Sequence, residues 1–386
     1  DPEFRAMWVS RFEWPNSNRT TCQNKINEIM TNLADHNFNA VVFQIRGQMD
    51  TLYPSPHEPW SALLGSLGSD PGWDPVQYAI DAAHSRGLEF HAYINYSVCW
   101  QSSTNSPPAH TTPEHPFWLH CNTSGTSDWL LANSSGTQVV YGSDGYVWVA
   151  NGVPSFMEWI RKVTMHVVNT YDVDGIHYDR IRFPANTYSY DTISNARRAG
   201  PGNPHSLGFK DWQRDQITRS LTDIYGSIMK VKPWIKVSNA PFGIYDRSRF
   251  AGYSGYTDAY DIWLQESQHW SEVGCMDAVI PMIYWDIATA PRYDILIQDW
   301  VDHNYGRHIY GGMSASKYTF PELGNEMLEN RNRGAQGHCP FSYGSISASE
   351  FDTFLSTYFQ TKVDTPSMPW KDNPTTGIIQ GIVRDG

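Results

Sequence analysis

The chain has no basic run, no pair of cysteines spaced C-x-x-C, and no apolar stretch of the roughly 18 residues that crosses a bilayer. Each absence removes a class of function. With a net charge of −12 and no cluster of Lys or Arg, a nucleic-acid footprint is missing, and an acidic membrane surface is excluded as a partner. A neutral or cationic ligand suits such a chain better. Without a Cys/His spacing fit for zinc, no structural metal is expected, and no motif calls for a cofactor. The five cysteines, Cys22, Cys99, Cys121, Cys275 and Cys339, are scattered and odd in number, so at most two disulfides can form. Cys99 and Cys121 are the pair placed to staple the loop between them, a feature of exported proteins. Disordered tracts and exact internal repeats are also missing.

What is present is a large core and many rings. The 386 residues are 40% hydrophobic, enough for one large domain or two average ones. Sixteen Trp and 22 Tyr are many for an ordinary soluble domain. In a carbohydrate-active protein, flat rings serve as platforms for the apolar faces of sugars, although most of these are expected simply to pack the core. A chain beginning at "DPEFRAMWVSR" reads as a mature or trimmed form, which places the protein outside the cytosol, secreted or in the cell envelope.

Short β-rich runs alternate with amphipathic helices. Strands are expected at 4–11, 39–46, 88–96, 173–181, 235–243, 278–285, 307–314 and 338–345. Between them, Asp74 and Pro75 mark one helix start and Gly87 its end, while Ser155 and Glu158 form a capping box for another. Eight strand–helix units in one chain predict an α/β fold, a (β/α)8 TIM barrel over 1–362. Residues 98–150, rich in Ser, Thr, Asn, Gly and Trp, form a long insertion after the third strand. On a barrel it lies at the catalytic face and is expected to wall one side of a cleft. From 363 to 386 the chain reads as a Pro- and Thr-rich linker followed by the start of a further β domain.

"DVDGIHYDRIRFP" (172–184) carries charge where a buried strand should end. Alternation turns Ile176 and Tyr178 toward the helices and His177 and Asp179 into the barrel, with Asp179 nearest the C-terminal mouth. A carboxylate at that rim reads as catalytic, because the rim builds the active site. The alternative is a rim salt bridge with Arg182 or Arg180. His177 is either a substrate contact or a satisfied interior histidine. Asp174, at the strand's other end, is structural.

The strings "FRAMWVSR", "VVFQIRGQMDTLYPSPHEPWSALLG", "GWDPVQYAIDAAHSRGLEFHAYIN", "HPFWL", "YDVDGIHYDRIRFP", "DWQRDQI", "APFGIY" and "VIPMIYW" occur in one order along the chain. In them the chain resembles the glycosyl-hydrolase-like family 10 proteins, bacterial (β/α)8-barrel enzymes acting on polysaccharides. "DGIHYD" is also similar to the DG-x-x-x-D of amylase-type barrels, whose last Asp is the nucleophile, an analogy between folds. Sugar-bond cleavage normally needs a second carboxyl. Two are candidates. Glu266 stands where the resembled family has Asp in a D-x-x-x-W string, and its alternative reading is a solvated or N-terminal helix carboxylate. Asp286 follows the sixth strand, and its alternative reading is a loop cap. Tyr284 and Trp285 would give Asp286 the less polar surroundings a proton donor needs.

The resemblance places Gln44, Arg46 and Asp50 at the cleft, Arg46 either on an anionic sugar or in a structural pair. Alternation brings His91, Tyr93 and Asn95 to the mouth of the third strand, and the string "SNAP" brings Asn239 to that of the fifth; Trp60 is a loop platform. Two departures stand out: Arg180 follows Asp179 where some relatives carry a second acid, and Met282 replaces a common Gln. The reading is a glycoside hydrolase of an unidentified polysaccharide, such as denuded peptidoglycan glycan or exopolysaccharide. Competing readings are a non-catalytic carbohydrate-binding barrel and a metal-dependent deacetylase built on His91, His177 and Asp179, the latter disfavoured by the resemblance.

Overall fold

Apolar residues on both faces of a strand need cover on both faces, which in this chain comes from the barrel interior on one side and helices on the other. A computed structural model describes residues 1–379. In it, β1 (Phe4–Val9), β2 (Ala40–Arg46), β3 (Glu89–Asn95), β4 (Gly175–Asp179), β5 (Lys236–Asn239), β6 (Ala278–Val279), β7 (His308–Ser314) and β8 (Gly337–Phe341) close into one barrel. Every neighbouring pair is parallel. All eight expected strands are found, each shorter than its apolar run, β5 and β6 by more than half. The regular part of β6 is cut to two residues because Pro281 has no N–H for the ladder, although Met282 still bridges Phe242 and Gly312.

Helices α1 (Arg19–Asp35), α2 (Pro75–His84), α3 (Pro154–Thr170), α4 (Phe209–Val231), α5 (Ser267–Glu272), α6 (Tyr293–Asp302), α7 (Phe320–Arg333) and α8 (Ala348–Thr353) follow the strands in turn. Asp74 caps α2 as expected, accepting from the amides of Val76 and Gln77. The capping box expected at α3 does not form. Val153 occupies the cap position, Pro154 begins the helix, and the Ser155 hydroxyl instead accepts from Trp129 Nε1 at 2.8 Å.

Two apolar clusters divide the core. Phe4, Trp8, Val42, Tyr93, Tyr310 and Met368 fill the barrel, while Val41, Phe43, Ile176 and Tyr178 pack beneath the helices. The β4 alternation is therefore as read, and Tyr178 reaches Thr164 of α3 at 2.7 Å. At the base, Gly175 makes room for a histidine: a Cβ there would lie 2.2 Å from His91 Nδ1.

The insertion carries a two-stranded antiparallel ribbon (Val98–Gln101 with Tyr146–Trp148), a short helix (Pro116–His120) and a small hairpin (Leu131–Ala132 with Gln138–Val139). The five cysteines are free and buried; Cys99 and Cys121 sit side by side as hydrogen-bonded thiols rather than as a disulfide. Residues 363–372 are packed beneath the barrel rather than forming a free linker. Met368 is 3% exposed inside the barrel base, and Trp370 Nε1 donates to Asp277 at 2.7 Å. Most of the strand expected in "IIQGIVRDG" lies outside the described residues. No described helix is long and apolar enough to cross a membrane.

Candidate active site

Asp179 ends β4 at the C-terminal face, its side chain 17% exposed. Two donors fix it. The Tyr93 hydroxyl, from the neighbouring strand, donates to Oδ2 at 2.8 Å, and the Arg180 amide donates to Oδ1 at 2.6 Å. That amide can turn back because Arg180 takes a left-handed backbone, φ 54°. Arg182 Nη1 lies 3.9 Å from Oδ1, too far for a hydrogen bond. Burial, and then the negative charge of Asp179, push the Tyr93 hydroxyl well above its ordinary pKa, so it stays a donor. Tyr284 is pushed up by the same two causes in the same order, which places it beside the carboxylate.

Arg182, 3.9 Å from Asp179, helps to line a cavity of about 320 Å³ together with Val139, Asp144 and Trp148 of the insertion and with Tyr188 and Trp263, while Asp179 itself is not in its lining. The insertion thus forms one wall, as its length and position implied. Trp148 and Trp263 flank the Arg182 guanidinium at 5.6 and 5.5 Å, and Tyr146 lies 4.2 Å from that of Arg180. Asp144 is exposed on this wall and accepts from Trp148 Nε1 at 3.1 Å and the Tyr146 amide at 3.0 Å. Its charge bears on both Arg180 and Arg182, as that of Asp179 does. The sequence reading passed over Asp144. The available signal was a carboxylate before Gly145 and the aromatic run "YVW", inside the segment assigned to the cleft wall.

Several expected site residues are placed elsewhere. Glu266 faces the helices: its Oε1 accepts from Thr218 of α4 at 2.6 Å, and burial raises its pKa there, away from the cleft. Asp286 is a loop cap, accepting from the Thr289 and Ala288 amides at 2.6 and 2.9 Å. Those bonds, the Thr289 amide first, lower its pKa, the opposite of what a proton donor requires. Arg46 is fully buried in a bidentate pair with Glu58 at 2.6 and 2.7 Å. Of its two readings the structural pair is the one found, because a register shift between Gln44 and Arg46 sets it opposite Ile94, which faces the helices. Asp50 is 2% exposed near His115 of the insertion, and Trp60 packs half-buried against the outer core.

His91 points inward but at the base, where Nε2 meets Glu89 at 3.0 Å, so it cannot serve the mouth. Asn239 stands opposite Tyr178 and Val279, both under the helices, and shares their face. His177 is inside but saturated: Nε2 accepts from Trp8 at 3.1 Å and Nδ1 meets the Ser238 hydroxyl at 2.9 Å. Burial pushes it down to about 3, a neutral floor beneath Asp179. With His91 and His177 so engaged, the deacetylase ligand set does not assemble, and no three His, Cys, Asp or Glu converge among the described residues.

Gln44 faces the mouth, but its Oε1 is taken by the Arg11 amide at 2.8 Å. Asn95, opposite Asp179, gives its amide hydrogen to the Gly47 carbonyl at 2.8 Å, leaving an unpartnered acceptor oxygen rather than a free donor. Tyr93, Arg182 and Tyr284 therefore surround Asp179. Trp285 lies half-buried on the same rim, with Lys317 Nζ 5.8 Å from its ring.

A closed parallel eight-stranded barrel ringed by helices is the (β/α)8 fold. The glycoside hydrolase domain of PgaB (BpsB) from Bordetella bronchiseptica superposes with a TM-score of 0.60 over 92% of this chain and 96% of that one, at 12% identity. The sequence profile of the family Glycosyl hydrolase-like 10 matches residues 3–326, and the chain belongs to that family. It is 28% identical to glycosyl hydrolase YngK of Bacillus subtilis (strain 168), across 97% of this chain and 75% of that protein. Against glycosyl hydrolase DigH of Escherichia coli (strain K12) the identity is 29%, across 77% of this chain and 69% of that protein.

Proposed function

We propose that the protein is a glycoside hydrolase that cleaves a polysaccharide in the cleft at the C-terminal face, with Asp179 as the carboxylate at the scissile bond. The observation that carries this reading is Asp179 itself. It is held by Tyr93 and the Arg180 amide at a strand end beside a ring-lined cleft. The family and the relatives named as glycosyl hydrolases support the same reading. The Tyr93 hydroxyl and the Arg180 amide hold Asp179 aimed, as attack on an anomeric carbon or on a water demands.

For the second carboxyl we assign Asp144, which faces the same two arginines from the insertion wall. Bound substrate covering this exposed wall would supply the less polar surroundings in which Asp144 protonates the leaving oxygen, and the departing sugar takes that proton as its new hydroxyl. An amino-sugar polymer such as denuded peptidoglycan glycan or an exopolysaccharide is the substrate class we favour, which places the protein in the cell envelope or outside the cell. Reducing-end release across a panel of such polymers tests the function. Release from at least one is expected; binding to a polymer with release from none would mark a non-catalytic carbohydrate-binding barrel.

A further inference from the structure

At the end of the barrel away from the cleft, one indole stands in water although its backbone is held on both sides. Trp234, in the loop between α4 and β5, is 59% exposed, and its Nε1 has no hydrogen-bond partner among the described residues. Lys371 Nζ, from the tail packed beneath the barrel, pins this loop. It donates to the carbonyls that flank the indole, Pro233 at 3.2 Å and Ile235 at 2.7 Å, and lies 3.0 Å from the Asp277 carboxylate.

Between tail and loop lies a cavity of about 420 Å³, lined among others by Pro233, Trp234, Thr365, Pro366, Ser367 and Asp372. Sites for small ligands fall in the same range of size. Ser367 and Asp372 are exposed, and their side chains have no hydrogen-bond partner among the described residues. A ring face, a hydroxyl and a carboxylate thus border one hollow, all three open to a ligand.

The chemistry of the walls narrows the occupant. The two lysines that also line the cavity are each paired, Lys236 with Glu89 at 2.6 Å and Lys371 with Asp277, so neither is set aside for an anion. Asp372 leaves an acceptor for hydroxyl donors. A single indole offers none of the successive apolar pockets that a partner helix or an extended peptide would fill. A sugar ring matches instead: its apolar face lies flat on the indole while the hydroxyls at its edge reach Asp372, Ser367 Oγ and Trp234 Nε1. Because the loop is already fixed by Lys371, little of its freedom is lost on binding.

We infer that this cavity is a second, non-catalytic glycan-binding site, which seats a neutral sugar ring on the Trp234 indole at the opposite end of the barrel from Asp179. It holds a glycan whether or not the cleft cleaves one, so it does not rest on the role given to Asp179.

Hydroxyl-radical footprinting of the full native chain, read by mass spectrometry after brief mixing and at matched radical dose, tests the site without any variant. The probes are neutral hexamers of β-linked glucose, mannose and N-acetylglucosamine, with a cationic glucosamine hexamer beside them. At least one neutral hexamer is expected to lower oxidation of Trp234 by about threefold or more. Asp372→Ala should then raise the hexamer concentration that half-protects Trp234 by about tenfold, since a hydrogen bond to a charged acceptor is lost. Equal oxidation of Trp234 with and without every neutral hexamer overturns the inference, and so does protection by the cationic hexamer alone. Half-protection unchanged by Asp372→Ala overturns it as well. Protection of Trp234 with release from no polymer would keep this site and remove the hydrolase, whereas release without protection would do the reverse.

Discussion

At the residue scale the account turns on how few contacts hold Asp179. Among the described residues the Tyr93 hydroxyl is its only side-chain hydrogen-bond donor. A hydrogen bond to a charged acceptor contributes about 1.5–3 kcal/mol, so Tyr93→Phe should lower kcat on a cleaved polymer by roughly 10- to 100-fold with little change in KM. Steady-state kinetics checks this, and an unchanged kcat would show that the backbone amide alone positions the carboxylate. A second residue sets a pH dependence. Glu326 on α7 is 1% exposed, its Oε2 has no partner, and burial raises it to about 9. The folded state then holds a proton that the unfolded chain releases near 4.5. Its contribution is intact below that pH and is lost as pH rises toward 9, by up to about 1.4 kcal/mol per unit. Urea unfolding at pH 5 and pH 8 should show a smaller loss for Glu326→Gln than for the native chain.

At the scale of elements, alternation was a good guide in the middle of a strand and a poor one at its end. Ile176, His177, Tyr178 and Asp179 all lie on the faces read from period two. Arg46, which the resemblance rather than alternation put at the cleft, does not keep the parity of Gln44, because one irregular residue in β2 reverses it and nothing in "QIRGQMD" marks it. Asn239 failed differently: its own parity with Val237 already put it outside, and position at a strand end was mistaken for direction. The carboxyl partner we propose was illegible for a further reason. Glu266 and Asp286 were sought near strand ends, whereas Asp144 comes from an insertion whose path no periodicity records. The Arg46–Glu58 pair, with Trp159 Nε1 also on Glu58 at 2.9 Å, ties the β2 end and its loop to α3. Breaking a buried pair strands a charge, so Glu58→Ala should cost about 3–5 kcal/mol of stability by denaturant titration. A loss under 1 kcal/mol would mean the loop is held otherwise.

At the scale of the whole molecule, the two ends of the barrel do different work. The C-terminal face carries the cleft. The opposite end is closed by the chain's own tail: Met368 in the base, Trp370 on Asp277, and Lys371 Nζ 3.0 Å from the same carboxylate. That closure was invisible in "DTPSMPWKDNPTTG", whose composition is that of a linker; one Met and one Trp do not make a periodic pattern. The fold, by contrast, was written in eight apolar runs and in motifs shared with the family. Because the plug and the cleft lie at opposite ends, Met368→Ala should lower stability by about 2–5 kcal/mol while leaving kcat/KM unchanged at a temperature where the protein is folded. Thermal melting and kinetics on the same preparation separate the two effects.

The central claim is that Asp179 performs chemistry rather than merely pairing with arginine. Reducing-end release by native chain and Asp179→Asn, on a polymer that the native chain cleaves and with binding of that polymer measured in parallel, addresses it directly. The account predicts a fall in kcat of about 10³-fold or more with binding retained within a few-fold. Release by Asp179→Asn at a rate close to that of the native chain would contradict it.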